Sequence, residues 1–412
     1  MYSIVNWPIA LLVFIITLGL SLKSYAQQDS FLQCRDALSS PRVMFIVPAD
    51  KENVFWQDVV SYTKLASEQL KITLDIHYLK QDHRNRFNHA KSINQILTSS
   101  PKPDYLITFL TQGLELEIIE RITQDKIFLF SFNAPLTASM IQRIGVPRDR
   151  FPYWIGHISP DEISAGYDLA DHLIRVNKQK RESNQDKANI IAISGGLSSS
   201  VGQMREQGLI KRLDQDENAL LLQLVNADWS YEKTRFMMRK LLQRHEKIDI
   251  IWAASDLISM AVVDEIQASK PQIINTVTIG SIDWTHEVKP YLERHDVAVT
   301  YGGHVFEAGW VIPLIFDHYN QQDYLNELGG VILSKMKAIT ADNSHLLDKS
   351  QLSGVNFRDI SKCFTGIDKE YQFNAHTQLN SQLTPPLHSD LKSQLDPHLQ
   401  DKLKSEIEQK QP

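Results

Sequence analysis

The chain has 412 residues, 42% of them hydrophobic and 22% charged, enough apolar material for one or two well-buried domains, and the length favours two. Its 43 basic and 49 acidic side chains leave a formal charge of -6 with both signs interspersed. No dense basic stripe exists to neutralise phosphates, which argues against a nucleic-acid partner. The longest basic run, Lys178 to Lys187, is broken by Glu182 and Asp186 and reads as a solvated loop.

The N-terminus differs from the rest. Ile9 to Leu20 is a compact apolar block, and Ser24-Tyr25-Ala26 after it fits the small-x-small rule for signal-peptidase cleavage. Residues 1–26 are therefore expected to be a signal peptide, and the mature protein to be periplasmic. The weak n-region leaves an uncleaved anchor as the alternative. No Cys follows the apolar block, so no lipoprotein anchor is expected. Cys34 and Cys363 are the only cysteines; in an exported chain they suggest one disulfide, the plainer reading being two unrelated thiols.

The next apolar run, Val43 to Val47, is continuous enough for a parallel strand covered on both faces. The polar loop after it leads to Phe55 and Trp56, and then to Val59, Tyr62 or Thr63, Ala66 and Leu70 at helical spacing, with Lys64, Ser67 and Glu68 predicted to face outward. That loop lies at the carboxyl end of a strand, where open α/β sheets hold ligands. Further strands are predicted at Ile72 to Leu79, Tyr105 to Leu110 and Ile127 to Phe132, with helical segments between them. Asn133 to Pro152 carries three prolines and little periodicity, and reads as a surface loop or an interdomain crossing.

Beyond this break, strands are predicted at Trp154 to Ile158, Ile190 to Ser194, Leu220 to Val225, Ile250 to Ala254, Val277 to Ile282, Val297 to Tyr301 and Val331 to Ser334. The alternation predicts an α/β fold with mainly parallel sheets, and so many strands exceed one comfortable sheet. Ser159-Pro160-Asp161-Glu162 reads as a capping box with Ser at the N-cap and Pro at the first helical position. Ile163, Tyr167, Ala170 and Ile174 would then form the buried face. Residues 370–412, rich in Gln, Ser, Lys and Pro, read as a disordered tail.

Enzymatic signals are thin. Gly195 to Ser200 follows a strand and precedes a helix, so an exported α/β hydrolase using Ser198, Ser199 and Ser200 is the alternative function; a tight turn with a Ser N-cap is the simpler reading. The loop lacks both the phosphate-loop Lys and the nucleophile-elbow spacing. The histidines show no metal-ligand spacing, so neither a metal nor a cofactor is expected.

A more coherent pattern lies at the predicted strand ends. There stand Asn53, Phe55 and Trp56; Thr108; Asn133; Gln203 and Arg205; Asp228 and Trp229; Ser255 and Asp256; Asp283 and Trp284; Gly303 and His304. Each has a bland reading, since an isolated Trp packs domains and Asn, Ser and Asp cap helices and turns. Brought together in a cleft, aromatic faces and fixed polar groups suit a small polyhydroxylated solute. If Trp56 belongs to such a wall and not to the core, its loss should weaken ligand binding without lowering stability.

From about residue 41 to 340 the order of these motifs resembles the type I periplasmic sugar-binding proteins, relatives of ribose and galactose binders. VPADKENVFW is similar to that family's first-strand loop, LFSFN to the segment ending in a ligand-binding Asp, here Asn133, and WIGHISPDEISAGYDLADHL to the crossing into the second domain. SSSVGQMREQG resembles the loop bearing a ligand Arg; Gln203 holds that position and Arg205 lies two residues on. Asp228-Trp229, WAASDL and TIGSIDW resemble later strand ends, and YGGHVFEAG puts Gly303 or His304 where the family has Gln.

The resemblance implies two Rossmann-like lobes joined by a three-segment hinge: residues 41–158 with 304–330, and residues 159–303 with 331–365. Together with the strand-end pattern, which alone supplies Thr108, it implies that Asn53, Phe55, Trp56, Thr108, Asn133, Gln203, Arg205, Trp229, Ser255, Asp283 and His304 touch a sugar-like ligand. It implies a monomer that presents this ligand to an ABC permease or, as in the similar periplasmic autoinducer receptor, to a membrane sensor kinase.

Overall fold

A computed structural model describes residues 40–79, 86–98, 100–180, 187–197, 199–348, 354–366 and 368–373. The expected signal peptide, Cys34, Ser198 and the tail beyond Phe373 lie outside them.

The first half of the chain alternates β1 (Arg42–Val47), α1 (Val54–Leu70), β2 (Thr73–Tyr78), α2 (Arg86–Thr98), β3 (Tyr105–Thr108), α3 (Glu115–Gln124), β4 (Phe128–Phe132), α4 (Ala138–Ile144) and β5 (Trp154–Pro160). Then follow α5 (Glu162–Lys180), β6 (Ala188–Ser194), α6 (Ser200–Leu213), β7 (Ala219–Asn226), α7 (Tyr231–Arg244), β8 (Ile250–Ala253), α8 (Asp256–Ser269), β9 (Thr278–Asp283), α9 (Lys289–Glu293) and β10 (Val299–Gly302). The chain continues through α10 (Glu307–Tyr319), α11 (Leu325–Leu328), β11 (Val331–Ser334), β12 (Lys337–Ile339) and α12 (Lys362–Thr365), with short 3-10 turns between.

Two six-stranded sheets result, ordered β11-β5-β4-β3-β1-β2 and β12-β10-β9-β8-β6-β7. All pairings are parallel except β10 with β12. The inner strands β3, β5 and β9 are buried at every residue, as strands covered on both faces should be, whereas β2 and β7 lie at sheet edges and are only partly covered. The predicted α/β architecture with parallel sheets is therefore present. Each predicted strand is found, and the three-residue β12 is an addition.

Several local expectations shift. On α1, Val59, Tyr62, Thr63, Ala66 and Leu70 are buried as predicted, but so is Ser67, whose hydroxyl donates to the Thr63 carbonyl at 2.8 Å and so needs no water. Asn133 to Pro152 is not a crossing: it contains α4, whose Met140 and Ile144 are buried, and joins two neighbouring strands of one sheet. Ser159 and Pro160 extend β5, and the helix cap is Asp161, whose Oδ1 accepts the Ser164 N–H at 3.0 Å. The buried face of α5 is accordingly Ala165, Gly166, Leu169, Ala170 and Leu173; of the predicted stripe Ala170 is buried, whereas Ile163, Tyr167 and Ile174 are only partly so.

The chain passes between the sheets at Pro160 to Glu162, Gly302 to Glu307 and Ser334 to Lys337. Val331 to Ser334, expected in the second lobe, instead pairs with β5 of the first sheet. Residues 341–347 pack against α9, but by Val355 the chain is back on the first lobe, where the Val355 carbonyl accepts from Gln69 at 2.8 Å and the Phe357 N–H donates to Gln69 at 2.7 Å. Tyr371 and Phe373, expected in the tail, are buried there as well. Cys363 is buried and disulfide-bonded.

Asp317 organises this returning segment. Its carboxylate accepts the Ser361 hydroxyl at 2.5 Å, the Lys362 N–H at 2.7 Å and the Tyr371 hydroxyl at 2.8 Å. Replacing Asp317 with Ala is expected to cost about 3 kcal/mol, because it strands buried donors. Amide exchange should then accelerate over residues 356–373 before the rest of the protein. Uniform exchange across the first lobe would show that the segment is not a separable clasp.

Candidate functional site

The carboxyl ends of both sheets face one cleft of about 1260 Å³. On the first lobe, Asn53 ends the β1 loop and caps α1, its Oδ1 accepting the Trp56 N–H at 3.2 Å, which leaves its side-chain NH2 and the second Oδ1 lone pair for a ligand. Phe55 and Asn133 join it on the lining. Trp56 also borders the cleft, but it is only 9% exposed and packs edge-on against Phe132, with ring centroids 5.9 Å apart. It belongs to the core as much as to the wall, so the expected separation of binding from stability at Trp56 is not supported by its packing.

On the second lobe, Ala227 ends the β7 connection, and Asp228 and Trp229 both hold positive φ (51° and 55°). This turn lays the indole on Gly195, where any Cβ would lie 2.0 Å from the ring. Glycine is required there by that close approach. Trp229 is half-buried and lines the cleft, with the Arg205 guanidinium 5.8 Å from its ring centroid. Asn133 (φ 68°) and Asp283 (149°) add further non-glycine residues with positive φ on the cleft lining, backbone strain of the kind found at binding sites; Trp284 (φ 70°), next to Asp283, does not line the cleft and is buried, its Nε1–H donating to the Thr300 carbonyl at 3.1 Å.

At the floor, Asp283 ends β9, Ser255 caps α8 by accepting the Ile258 N–H at 3.3 Å, and His304 opens the second crossing, its ring 5.0 Å from that of Phe55. Burial pushes the Asp283 carboxyl up to about 6 while the Arg205 charge beside it pulls the other way. Burial, and then Arg205, lower His304 to about 3, so its ring is neutral. Behind the floor, Asp256 accepts from Ser281 (2.6 Å), Thr300 (2.6 Å) and both the N–H and hydroxyl of Thr285 (2.8 and 3.0 Å), tying α8 to β9, β10 and the Thr285 turn.

Thr108 and Gln203 do not line the cleft. Thr108 is fully buried and meets His89 Nε2 at 3.0 Å, and Gln203 is exposed and turns back to donate to the Leu197 carbonyl at 2.7 Å. The other nine predicted residues do border it. Sequence reasoning missed Phe109, Thr111, Arg143, Lys233, Met260 and Thr285. Arg143 lay in the stretch read as loop, and Lys233 and Met260 are ordinary helix residues without a sequence signal. Ser199 accepts the Gly202 N–H at 3.3 Å as the cap of α6, the simpler reading of the serine loop. Among the described residues, no group of His, Cys, Asp and Glu is arranged to hold a metal.

Residues 43–315 match the model of the periplasmic binding protein domain family, and the chain belongs to that family, which is one of binding proteins and not of enzymes. Search of curated proteins finds no match. Among solved structures, the chain is similar to a periplasmic sugar-binding protein from Pseudomonas fluorescens, at 24% identity and a TM-score of 0.73, covering 82% of this chain and 100% of that one. It is also similar to a periplasmic solute-binding protein of an ABC transporter from Actinobacillus succinogenes with bound D-allose, at 14% identity and a TM-score of 0.64, covering 74% and 99%. A third is the binding protein of an arabinose ABC transporter from a Shewanella species bound to L-arabinofuranose, at 14% identity and a TM-score of 0.64, covering 76% and 97%. These likenesses establish the two-lobed fold as that of periplasmic solute-binding proteins.

Proposed function

We propose that this periplasmic solute-binding protein captures a small, uncharged, polyhydroxylated ligand of the sugar class in the interlobe cleft and presents it to a membrane partner, an ABC permease or a sensor kinase. The observation that carries this reading is the pairing of aromatic faces from opposite lobes, Phe55 and Trp229, with the polar groups of Asn53, Asn133 and Asp283 in one cleft. Ring faces cover the C–H surfaces of a sugar, and fixed polar groups match its hydroxyls. The sugars bound by the Actinobacillus and Shewanella proteins support the same class.

Ligand that contacts both walls stabilises the closed arrangement, because only closure satisfies both at once. One direct link between the lobes already exists: His286 Nδ1 lies 2.9 Å from Asp58 Oδ2. We read the chain as an exported monomer, with residues 1–26 removed and Cys34 joined to Cys363, as suits an oxidising compartment. Neighbouring genes would separate the partners: a permease and ATPase pair implies uptake, a sensor kinase signalling.

Isothermal titration against monosaccharides and polyols tests the ligand class, and a folded protein that binds none of them overturns it. Trp229→Ala should weaken the best of these ligands by about 10- to 100-fold, the loss of one stacking face. Because Trp229 is only half-buried, the melting temperature of the free protein should fall by no more than a few degrees. Unchanged affinity would remove Trp229 from the wall.

A further inference from the structure

One buried imidazole grips the loop that leaves β3. His89, on α2, is 1% exposed and does not border the cleft. Its Nε2 lies 3.0 Å from the Thr108 hydroxyl and its Nδ1 2.8 Å from that of Thr111. Between those threonines stands Phe109, whose ring stacks on the imidazole with centroids 4.0 Å apart and planes 10° from parallel. Burial lowers His89 to about 3, so the ring is neutral and offers one N–H and one bare nitrogen. A threonine hydroxyl can donate or accept, so one of the pair accepts the N–H and the other donates to the bare nitrogen. Both ring nitrogens and one ring face are thus spent on residues 108–111 of a single loop.

That loop forms part of the cleft. Phe109 and Thr111 line it, whereas Thr108 turns away and is fully buried. Connecting loops are the more mobile parts of a fold, and this one is short, the Leu114 N–H donating to the Thr111 carbonyl at 3.0 Å just before α3 begins. We propose that Phe109 is a further ligand-contacting face on the first lobe, and that His89 is the positioning residue that fixes it without touching ligand. His89 covers one face of the Phe109 ring, and the rest of the ring borders the cleft, where it suits the C–H surface of a neutral, polyhydroxylated ligand. Thr108, at the strand end, then serves the cleft at one remove. This rests on the cleft being the site of a sugar-class ligand.

The test has two arms. In the first, D-allose, L-arabinose, D-galactose and myo-inositol are titrated into wild type, Phe109→Ala, His89→Gln and the double variant. Any that binds wild type should bind Phe109→Ala about 3- to 10-fold more weakly, the loss of one ring contact. His89→Gln, which can keep one hydrogen bond to the loop but has no ring to stack, should lose a similar factor. Because His89 acts through Phe109, the double variant should match Phe109→Ala to within about twofold, whereas independent losses would multiply. Thr108→Val removes one anchor at a buried position away from the cleft, and should weaken binding by about 2- to 5-fold.

The second arm needs no ligand. Exchange of the Leu114 amide, followed by NMR in the free protein, should speed up by about tenfold in His89→Gln and in Thr108→Val, while the amides of β1 and β4 stay as protected as in wild type. If His89→Gln fails to fold, Thr108→Val takes its place in both arms. Full affinity in Phe109→Ala, losses that multiply in the double variant, or an unchanged Leu114 amide overturns the proposal. So does acceleration spread evenly over the first lobe, the mark of a merely structural histidine. If no sugar binds wild type, the sugar reading fails together with the contact at Phe109, whereas an accelerated Leu114 amide still supports His89 as the residue that holds the loop.

Discussion

Asp256→Ala is expected to lower the free energy of unfolding by about 3–5 kcal/mol. The carboxylate is fully buried and takes four donors: the hydroxyls of Ser281 and Thr300 on one oxygen, and the N–H and hydroxyl of Thr285 on the other. The hydroxyls can rotate toward other acceptors, but the Thr285 N–H cannot. Alanine leaves that donor buried and unpaired and opens a void where α8 meets β9 and β10. Urea unfolding followed by tryptophan fluorescence measures the loss, and a cost below about 1 kcal/mol would show that water replaces the carboxylate. Asp256→Asn should recover only part of the difference, since its NH2 would oppose one pair of donors. The Thr285 turn borders the cleft, so ligand affinity should suffer in either variant.

Gly166→Ala is expected to be nearly as damaging, at about 2–3 kcal/mol. Helices α5 and α6 approach so closely that a Cβ on Gly166 would lie 2.0 Å from the Arg205 carbonyl oxygen, and one on Gly208 would lie 2.0 Å from the carbonyl oxygen of Ile163. Both obstacles are backbone atoms, which no rotamer change can move, and so the helices must separate by at least about 1 Å to restore ordinary contact distances. The shift has a second consequence. Arg205 rides on α6 while Glu162 begins α5, and the Arg205 Nε and Nη2 donate to the two Glu162 oxygens at 2.5 and 3.1 Å, so the fork that joins them is pulled out of register. A thermal melt and a ligand titration on the same variant check both effects. A Gly166→Ala protein with unaltered melting temperature and affinity would mean that the helix interface is softer than its contact distances imply.

These two positions show where sequence reasoning stops. Asp256 was legible only as a polar residue after a strand, and nothing local distinguishes it from a routine cap. Its role arises because residues 281, 285 and 300 converge on it. Gly166 carried no signal, since a glycine within a helical pattern reads as a weak point, and its use becomes visible only with a second helix against it. The region of Glu162 was read as a capping box on Ser159, yet the strand continues through Pro160 and Asp161 takes the cap. That freed Glu162 to pair with a side chain 43 residues away.

The sequence by itself determined the alternation of strands and helices and the parallel sheets, and it marked the strand ends as the candidate place for a ligand; the break it showed at residues 133–152 falls inside the first sheet. Those features follow from short-range periodicity and from sterics that act over a few residues. The tertiary structure alone decided which strand-end residues share the cleft. Thr108 and Gln203 stand at predicted strand ends or next to them and turn to His89 and to the Leu197 carbonyl, because those nearby partners satisfy them better than an open cleft would. It likewise decided that β11 joins the first sheet and that residues 355–373 return to the first lobe. Those placements depend on which distant surfaces are left uncovered, and hydrophobic pattern along one dimension does not encode that.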